Sequence, residues 1–279
     1  MTLGPTARRR RLGAHLAELR HAAGLTTADV AEFFGCTAQT IRNWERGTST
    51  MKKVELAALL DKYGAAADTR SQLEETRREG SKRGWWSTYK LPEWFKPYVG
   101  LETDAAMVCN FEVELIPGLL QTESYAREIH SSGEHLTKPE DVEKRVAARL
   151  ERQKRLTGEH PLELRLVISE GALRRSVGGP DVMREQLRQL IDLGGLPNVI
   201  LQVIPFSAGA HASMPSGFTV LTFAEQADPD VAYMDGPLGG HVIEDPHDVG
   251  TLRNLFDEVR AAALPQRESL SLVRTIAEE

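Results

Sequence analysis

Residues 19–47, LRHAAGLTTADVAEFFGCTAQTIRNWERG, hold three short helical patterns broken at Gly24 and Gly35. From Arg9 to Ala23 the apolar residues Leu12, Leu16, Leu19 and Ala23 recur at helical spacing, and Gly24 supplies the stop. Thr26 and Thr27 can each accept an orphan amide hydrogen at the start of a second helix that runs to about Phe34. Gly35 then allows a left-handed turn without a Cβ clash, and Thr37 can cap a third helix that ends near Gly47. On that helix Ile41 and Trp44 lie three residues apart and so share one face. A fourth helix, Lys53 to Tyr63, carries Val54, Leu56, Ala57, Leu59 and Leu60 and closes at Gly64. Two helices joined at a steep angle by a short turn need a small residue at their crossing and an apolar wedge between them. Ala31 meets the first need; Val30, Ile41 and Trp44 meet the second.

This combination of spacings resembles the helix-turn-helix of the Xre/Cro/phage-repressor class, whose pattern runs Leu-Arg, Gly-Leu-Thr, a small residue, Gly, a capped recognition helix and Glu-x-Gly. In such a motif the second helix of the pair, here about residues 38–46, enters the major groove. The side chains that point away from Ile41 and Trp44 then face the bases. Gln39 can present a bidentate amide to adenine, Arg42 a fork to guanine, and Asn43 an amide to adenine or to phosphate. Thr27, Thr37, Thr40 and Thr48 are short donors suited to phosphate oxygens, the alternative for any one of them being a solvated hydroxyl. Ala38 and Arg46 complete the expected DNA-binding set. The resemblance also implies a structural ion pair between Arg20 and Glu45, which are therefore not expected to read bases.

The charge is divided along the chain. Of 279 residues with a net charge of −6, residues 1–83 hold 15 Lys and Arg against 10 Asp and Glu, a balance of +5, and the remainder is −11. A basic module joined to an acidic body suits a protein that meets phosphate with one part only. The run Arg8-Arg9-Arg10-Arg11 reads either as an arm laid along phosphates or into the minor groove, or as a solvated terminus. No apolar run reaches the roughly 18 residues of a membrane helix, and no secretory signal is recognisable, so a cytoplasmic protein is expected with no membrane partner. Cys36 and Cys109 form neither metal-ligand nor redox spacing.

The chain divides into a helix-turn-helix domain at 8–82, an aromatic-rich joint at 83–98 and a C-terminal domain at 99–279. Residues 66–83 read as a charged helix leading out of the first domain. Trp85, Trp86, Tyr89, Trp94, Phe95 and Tyr98 are too concentrated for a flexible spacer and suit a seam between domains, a core corner of the second domain, or a partner site. Beyond them, strand-like runs at 107–113, 162–168, 199–204, 218–223, 231–234 and 241–243 alternate with helical segments at 122–130, 139–156, 180–193, 245–263 and 265–277. The fold class is thus an N-terminal all-α helix-turn-helix bundle followed by a mixed α/β (α+β) domain. The mixed charges of 139–156 read as a solvated amphipathic face.

Catalytic and metal chemistry find little footing. His241, Glu244, Asp245, His247 and Asp248 are close in sequence, yet Pro246 interrupts them and the plainer reading is a strand ending at a helix that Asp245 caps. SVGGP and GPLGG lack a phosphate loop's lysine and read as turns. Ser169, Ser213 and Ser216 sit in no nucleophile elbow. Neither an enzyme, a metal site nor a cofactor is expected. In order, GWWSTY, LPEWFKPYVGLETDAA, FEVELIPGLLQTESYAREI, EKRVAARLERQKRL, LRRSVGGPDVMREQL, NVILQVIPFSAGAH and GGHVIEDP resemble the C-terminal domain of WhiJ-like actinobacterial regulators. That resemblance implies a transcriptional regulator, with the body sensing a ligand or a small partner protein encoded nearby. Double-stranded DNA with a pseudo-palindromic operator is the expected partner, bound by a homodimer. The alternative is an adaptor or antitoxin-like protein whose main role is to hold the small partner.

Overall fold

The computed structural model describes residues 5–132, 138–224 and 228–279, so the first four residues of the basic N-terminal stretch lie outside it. It divides into two compact units, one formed by the chain up to Trp85 with a short segment ending at Asp228, the other by 86–224 and 229–279.

The first unit is all helical: α1 (Pro5–Ala22), α2 (Thr27–Phe34), α3 (Ala38–Glu45), α4 (Lys53–Lys62) and α5 (Ala67–Gly80). Its core joins Leu12 and Leu16 of α1 to Val30 and Ala31 of α2, Ile41 of α3, Leu56, Leu59 and Leu60 of α4, and Leu73 of α5. Two expectations change here. α1 begins at Pro5, so Arg8–Arg11 is neither an arm nor a loose terminus but the first turns of a helix, with Ala7 and Arg10 buried and Arg8 Nη1 2.7 Å from Glu79 of α5. α5 does not lead out of the bundle but packs along α1, because Leu73 is buried and Gly80 leaves space for the Arg9 stem. Arg70 fixes the preceding corner by donating from Nε to the Ala65 carbonyl at 2.7 Å.

The second unit is built on a six-stranded mixed sheet in the order β3-β2-β1-β4-β5-β6. Along the chain it contains α6 (Lys96–Asp104), β1 (Met107–Glu112), α7 (Glu123–Ser132), α8 (Pro139–Gln153), β2 (Glu163–Ser169), α9 (Glu170–Arg174), α10 (Pro180–Leu193), β3 (Val199–Ile204), β4 (Phe218–Thr222), β5 (Val231–Gly236), β6 (Gly239–Ile243), α11 (Pro246–Ala262) and α12 (Gln266–Glu278). The strands β1, β2 and β3 are parallel, each joined to the next by a helical crossover, whereas β4, β5 and β6 are antiparallel. The interior strand β2 buries Leu164, Leu166, Val167 and Ile168, as a parallel strand covered on both faces does.

The period of two along β1 separates the two faces. Cys109 and Phe111 join Val167, Phe218, Val220 and Ala232 against Val249, Phe256 and Val259 of α11. Val108, Asn110 and Glu112 point the other way. The six expected strands and all five expected helices are present, but α6, which runs from the end of the 83–98 joint into the C-terminal domain, and the short α9 were not expected. There Phe95 and Tyr98 stack at 5.3 Å, and Tyr98 meets Tyr233 of β5 at 4.3 Å, so these two aromatics form a core corner of the second unit. Among the described residues no helix is long and apolar enough to cross a membrane.

Candidate nucleic-acid interface

The pair α2 and α3 is held by reciprocal local chemistry. Thr26 caps α2, its hydroxyl accepting from the Asp29 amide at 3.2 Å while the Asp29 carboxylate accepts from the Thr26 amide at 2.7 Å. The Thr26 hydroxyl, donating to the Asp29 carboxylate at 2.7 Å, and the Thr26 amide lower the Asp29 pKa. Thr27 is thus the first residue of the helix rather than its cap. Gly35 ends α2 at φ 62, and Thr37 caps α3 by accepting from the Thr40 amide at 3.2 Å.

α3 has two faces. Ile41 is buried, and Trp44 meets Phe34 of α2 edge to face at 5.5 Å. The end of α3 is pressed hard on α1: a Cβ on Gly13 would lie 2.2 Å from the Glu45 carbonyl oxygen and 2.6 Å from that of Trp44. Only a glycine fits that crossing. Gly47, at φ +69, makes the same kind of approach to the backbone of Arg9 and Arg10.

Arg20 and Glu45 form a two-pronged ion pair across the same corner, Nε to Oε1 at 2.6 Å and Nη2 to Oε2 at 3.0 Å. A third Arg20 donor, Nη1, reaches the Leu25 carbonyl at 2.8 Å at the α1–α2 turn. One guanidinium therefore ties three helices. The pair is well shielded, at 8% and 12% side-chain exposure, and its hydrogen bonding raises the Arg20 pKa further. Nearby, burial and the Glu45 charge push the Tyr63 phenol up to about 12.

The opposite face of α3 carries Gln39, Arg42 and Asn43. Gln39 and Arg42 are exposed and Asn43 is half-buried. They bond to one another, Arg42 Nε donating to Gln39 Oε1 at 3.2 Å and Gln39 Nε2 to Asn43 Oδ1 at 2.9 Å. This relay orients the Arg42 fork and the Gln39 amide on one ridge, and it engages Arg42 through Nε rather than through the Nη atoms that would meet a guanine. Ala38 stands at the start of the ridge and Arg46, exposed, just past its end.

The threonines differ in what they have free. Thr37 and Thr40 share a hydroxyl contact at 3.0 Å beside the N-terminus of α3. Thr48 donates its hydroxyl to the Asn43 carbonyl at 3.1 Å, closing the turn after α3, so that proton is already used. Thr27 is half-buried at the N-terminus of α2.

The remaining candidates are not gathered into a site. Asp245 caps α11, accepting from the amides of His247 and Asp248 at 3.0 and 3.2 Å. His241 and His247 are exposed, and among the described residues no three His, Cys, Asp or Glu are placed to hold a metal ion. Sequence reading did miss a polar cluster behind the sheet. The solvated face expected for 139–156 fails at Arg152, which is buried and bonded through Nε and Nη2 to Glu102 of α6, each at 2.7 Å. The available signal was spacing, since Val142, Val146, Arg149 and Arg152 fall on one helical stripe.

A capped helix pair with a small crossing residue, a buried wedge and a polar outer ridge defines the first unit as a helix-turn-helix DNA-binding module. Residues 11–73 match the family model of a helix-turn-helix domain. The chain belongs to the family defined by a domain of unknown function, DUF5753, whose model matches residues 95–275. No curated protein and no solved structure matches the chain.

Proposed function

We propose that the protein is a sequence-specific transcriptional regulator of the Xre type whose α3 lies in the major groove of an operator. The observation that carries this reading is the division of α3 into a face locked by Ile41, Trp44 and the Arg20–Glu45 pair and a face that exposes Gln39 and Arg42. Gln39 reads adenine, Arg42 reads guanine, and Asn43 supports them from adenine or phosphate. Ala38 lies against base edges; Thr27, Thr37, Thr40, Arg46 and Thr48 take phosphates, Thr48 by giving up its bond to Asn43.

One helix of this length covers too few base pairs for operator specificity. We therefore assign a homodimer on a pseudo-palindrome, with half-sites about one helical turn, roughly 34 Å, apart. The acidic second unit, WhiJ-like in its motifs, supplies the two-fold contact and senses a ligand or small partner protein. Binding there controls DNA only if it favours one DNA-binding state over the other.

The test is fluorescence anisotropy on an operator selected from random duplexes, compared with unselected DNA. Replacing Gln39 or Arg42 with alanine is expected to cost roughly 1–3 kcal/mol on the operator and little on random DNA. Equal losses on both would reduce these residues to phosphate contacts, and no enrichment of any sequence would favour the adaptor reading. Sedimentation showing only monomer, with and without operator, would remove the dimer.

A further inference from the structure

The face of the sheet opposite α11 is not filled. In the second unit a cavity of about 170 Å³ lies between Val108, Asn110 and Glu112 of β1 and the side chains of Arg149 and Arg152 on α8. A second hollow of about 160 Å³ shares Phe95, Arg149, Arg152 and Asp235 with it. The first alone exceeds the roughly 150 Å³ known to admit a benzene ring.

The charges around this space do not satisfy one another. Arg152 is committed to Glu102. Arg149 bonds only to the side-chain oxygen of Gln121 and forms no ion pair with a carboxylate among the described residues. Glu112 accepts a single bond, from Asn110 at 3.3 Å, and neither it nor Asp235 has a cation partner among the described residues. Arg149 and Glu112 thus line one chamber without an ion pair between them, and the solvent-exposed Asp235 stands at its edge. The protonation equilibria agree. Burial pushes the Glu112 carboxyl up to about 7 and raises Asp235, while burial and the neighbouring Arg152 pull Arg149 down to about 10. Burial leads each shift, and Arg149 and Glu112 each partly offset the other's.

A purely anionic guest would answer Arg149 and repel the carboxylates; a purely cationic one would do the reverse. A guest carrying both charges answers all three, with a planar carboxylate suited to the guanidinium fork. We infer that this cavity binds a small zwitterion of the α-amino acid kind, its carboxylate on Arg149, its ammonium on Glu112 and Asp235, and its side chain beside Phe95. The inference gives a ligand class to the sensing role proposed for this unit and rests on that reading only for its consequence at the operator.

Calorimetric titration of the DNA-free, full-length protein tests it, with the L-amino acids one at a time. For each binder, the amine and the carboxylic acid that lack one charge follow. At least one amino acid is expected to saturate one site with a Kd tighter than about 1 mM, and both single-charge analogues to bind about tenfold or more weakly. Arg149→Gln should weaken the amino acid and the acid but spare the amine; Glu112→Gln should weaken the amino acid and the amine but spare the acid. A misfolded variant would lose all three probes alike, so the reciprocal pattern separates charge recognition from damage. No saturable amino acid, an acid or amine that binds as tightly as its parent, or unchanged binding in both variants overturns the site. Because DNA is absent, such a failure leaves operator recognition standing, and an intact site in a protein that selects no operator would instead sink the regulator reading.

Discussion

Gly13→Ala pits helix propensity against packing, and the structure decides which wins. In an open helical position the change from Gly to Ala stabilises by about 1 kcal/mol. At Gly13 the new methyl would lie 2.2 Å from the Glu45 carbonyl oxygen, where ordinary contact begins at 3.4 Å. The clash is with backbone, so no side chain can swing aside, and α1 must withdraw from α3 by about 1 Å. Overpacking of this kind costs about 1–3 kcal/mol, which leaves a net loss of up to about 2 kcal/mol in the first unit. Gly250 of α11 is the control, because nothing lies within 4 Å of its Cβ position. Gly250→Ala should stabilise its unit by up to about 1 kcal/mol. Hydrogen exchange read separately on α3 and on α11 follows both units in one sample. The expected result is faster exchange in α3 for Gly13→Ala and slower exchange in α11 for Gly250→Ala. Protection of α3 equal to or above that of the parent protein would refute the close crossing.

Two further outcomes follow from buried charge. Glu45→Ala strands the shielded Arg20 guanidinium and should cost about 3–5 kcal/mol in the first unit, abolishing DNA binding through folding; denaturant unfolding that moves by less than about 1 kcal/mol would show the pair to be dispensable. Glu112, with a folded pKa of about 7 against an ordinary 4.5, contributes stability that is fully present below pH 4.5 and lost as pH rises through 7. Asn110 and Arg149 oppose that shift and Asp235 adds to it. The displacement corresponds to on the order of 3 kcal/mol, so Glu112→Gln should be the more stable protein at pH 8 and close to the parent near pH 5. Equal melting at pH 8 would contradict the burial of that carboxyl.

Local chemistry made much of the first unit readable. Gly24 and Gly35 mark its breaks, Thr37 caps α3, and Ile41 with Trp44 orients it, all within a few residues of one another. Long-range placement was not readable in the same way. Arg8–Arg11 looks like a free basic run until Glu79, 71 residues away from Arg8, meets it. Strand-like runs marked the six strands, but their order depends on crossovers that no single strand encodes. The helix α6 was hidden because its Tyr98 and Glu102 belong to a corner built with α8 and β5. For the same reason Arg149 and Arg152 passed as surface charges. An arginine turned inward looks like one turned outward until its partner is known.

The most direct measurement of the account is a genome-wide binding map of the parent protein and of Arg42→Ala in the native host. If α3 reads an operator through Arg42, the parent occupies discrete sites that share a pseudo-palindromic sequence, and the variant loses them or relaxes their guanine position while remaining folded. A map without a shared sequence, or one that Arg42→Ala leaves unchanged, would contradict the claim that the exposed face of α3 is what recognises DNA.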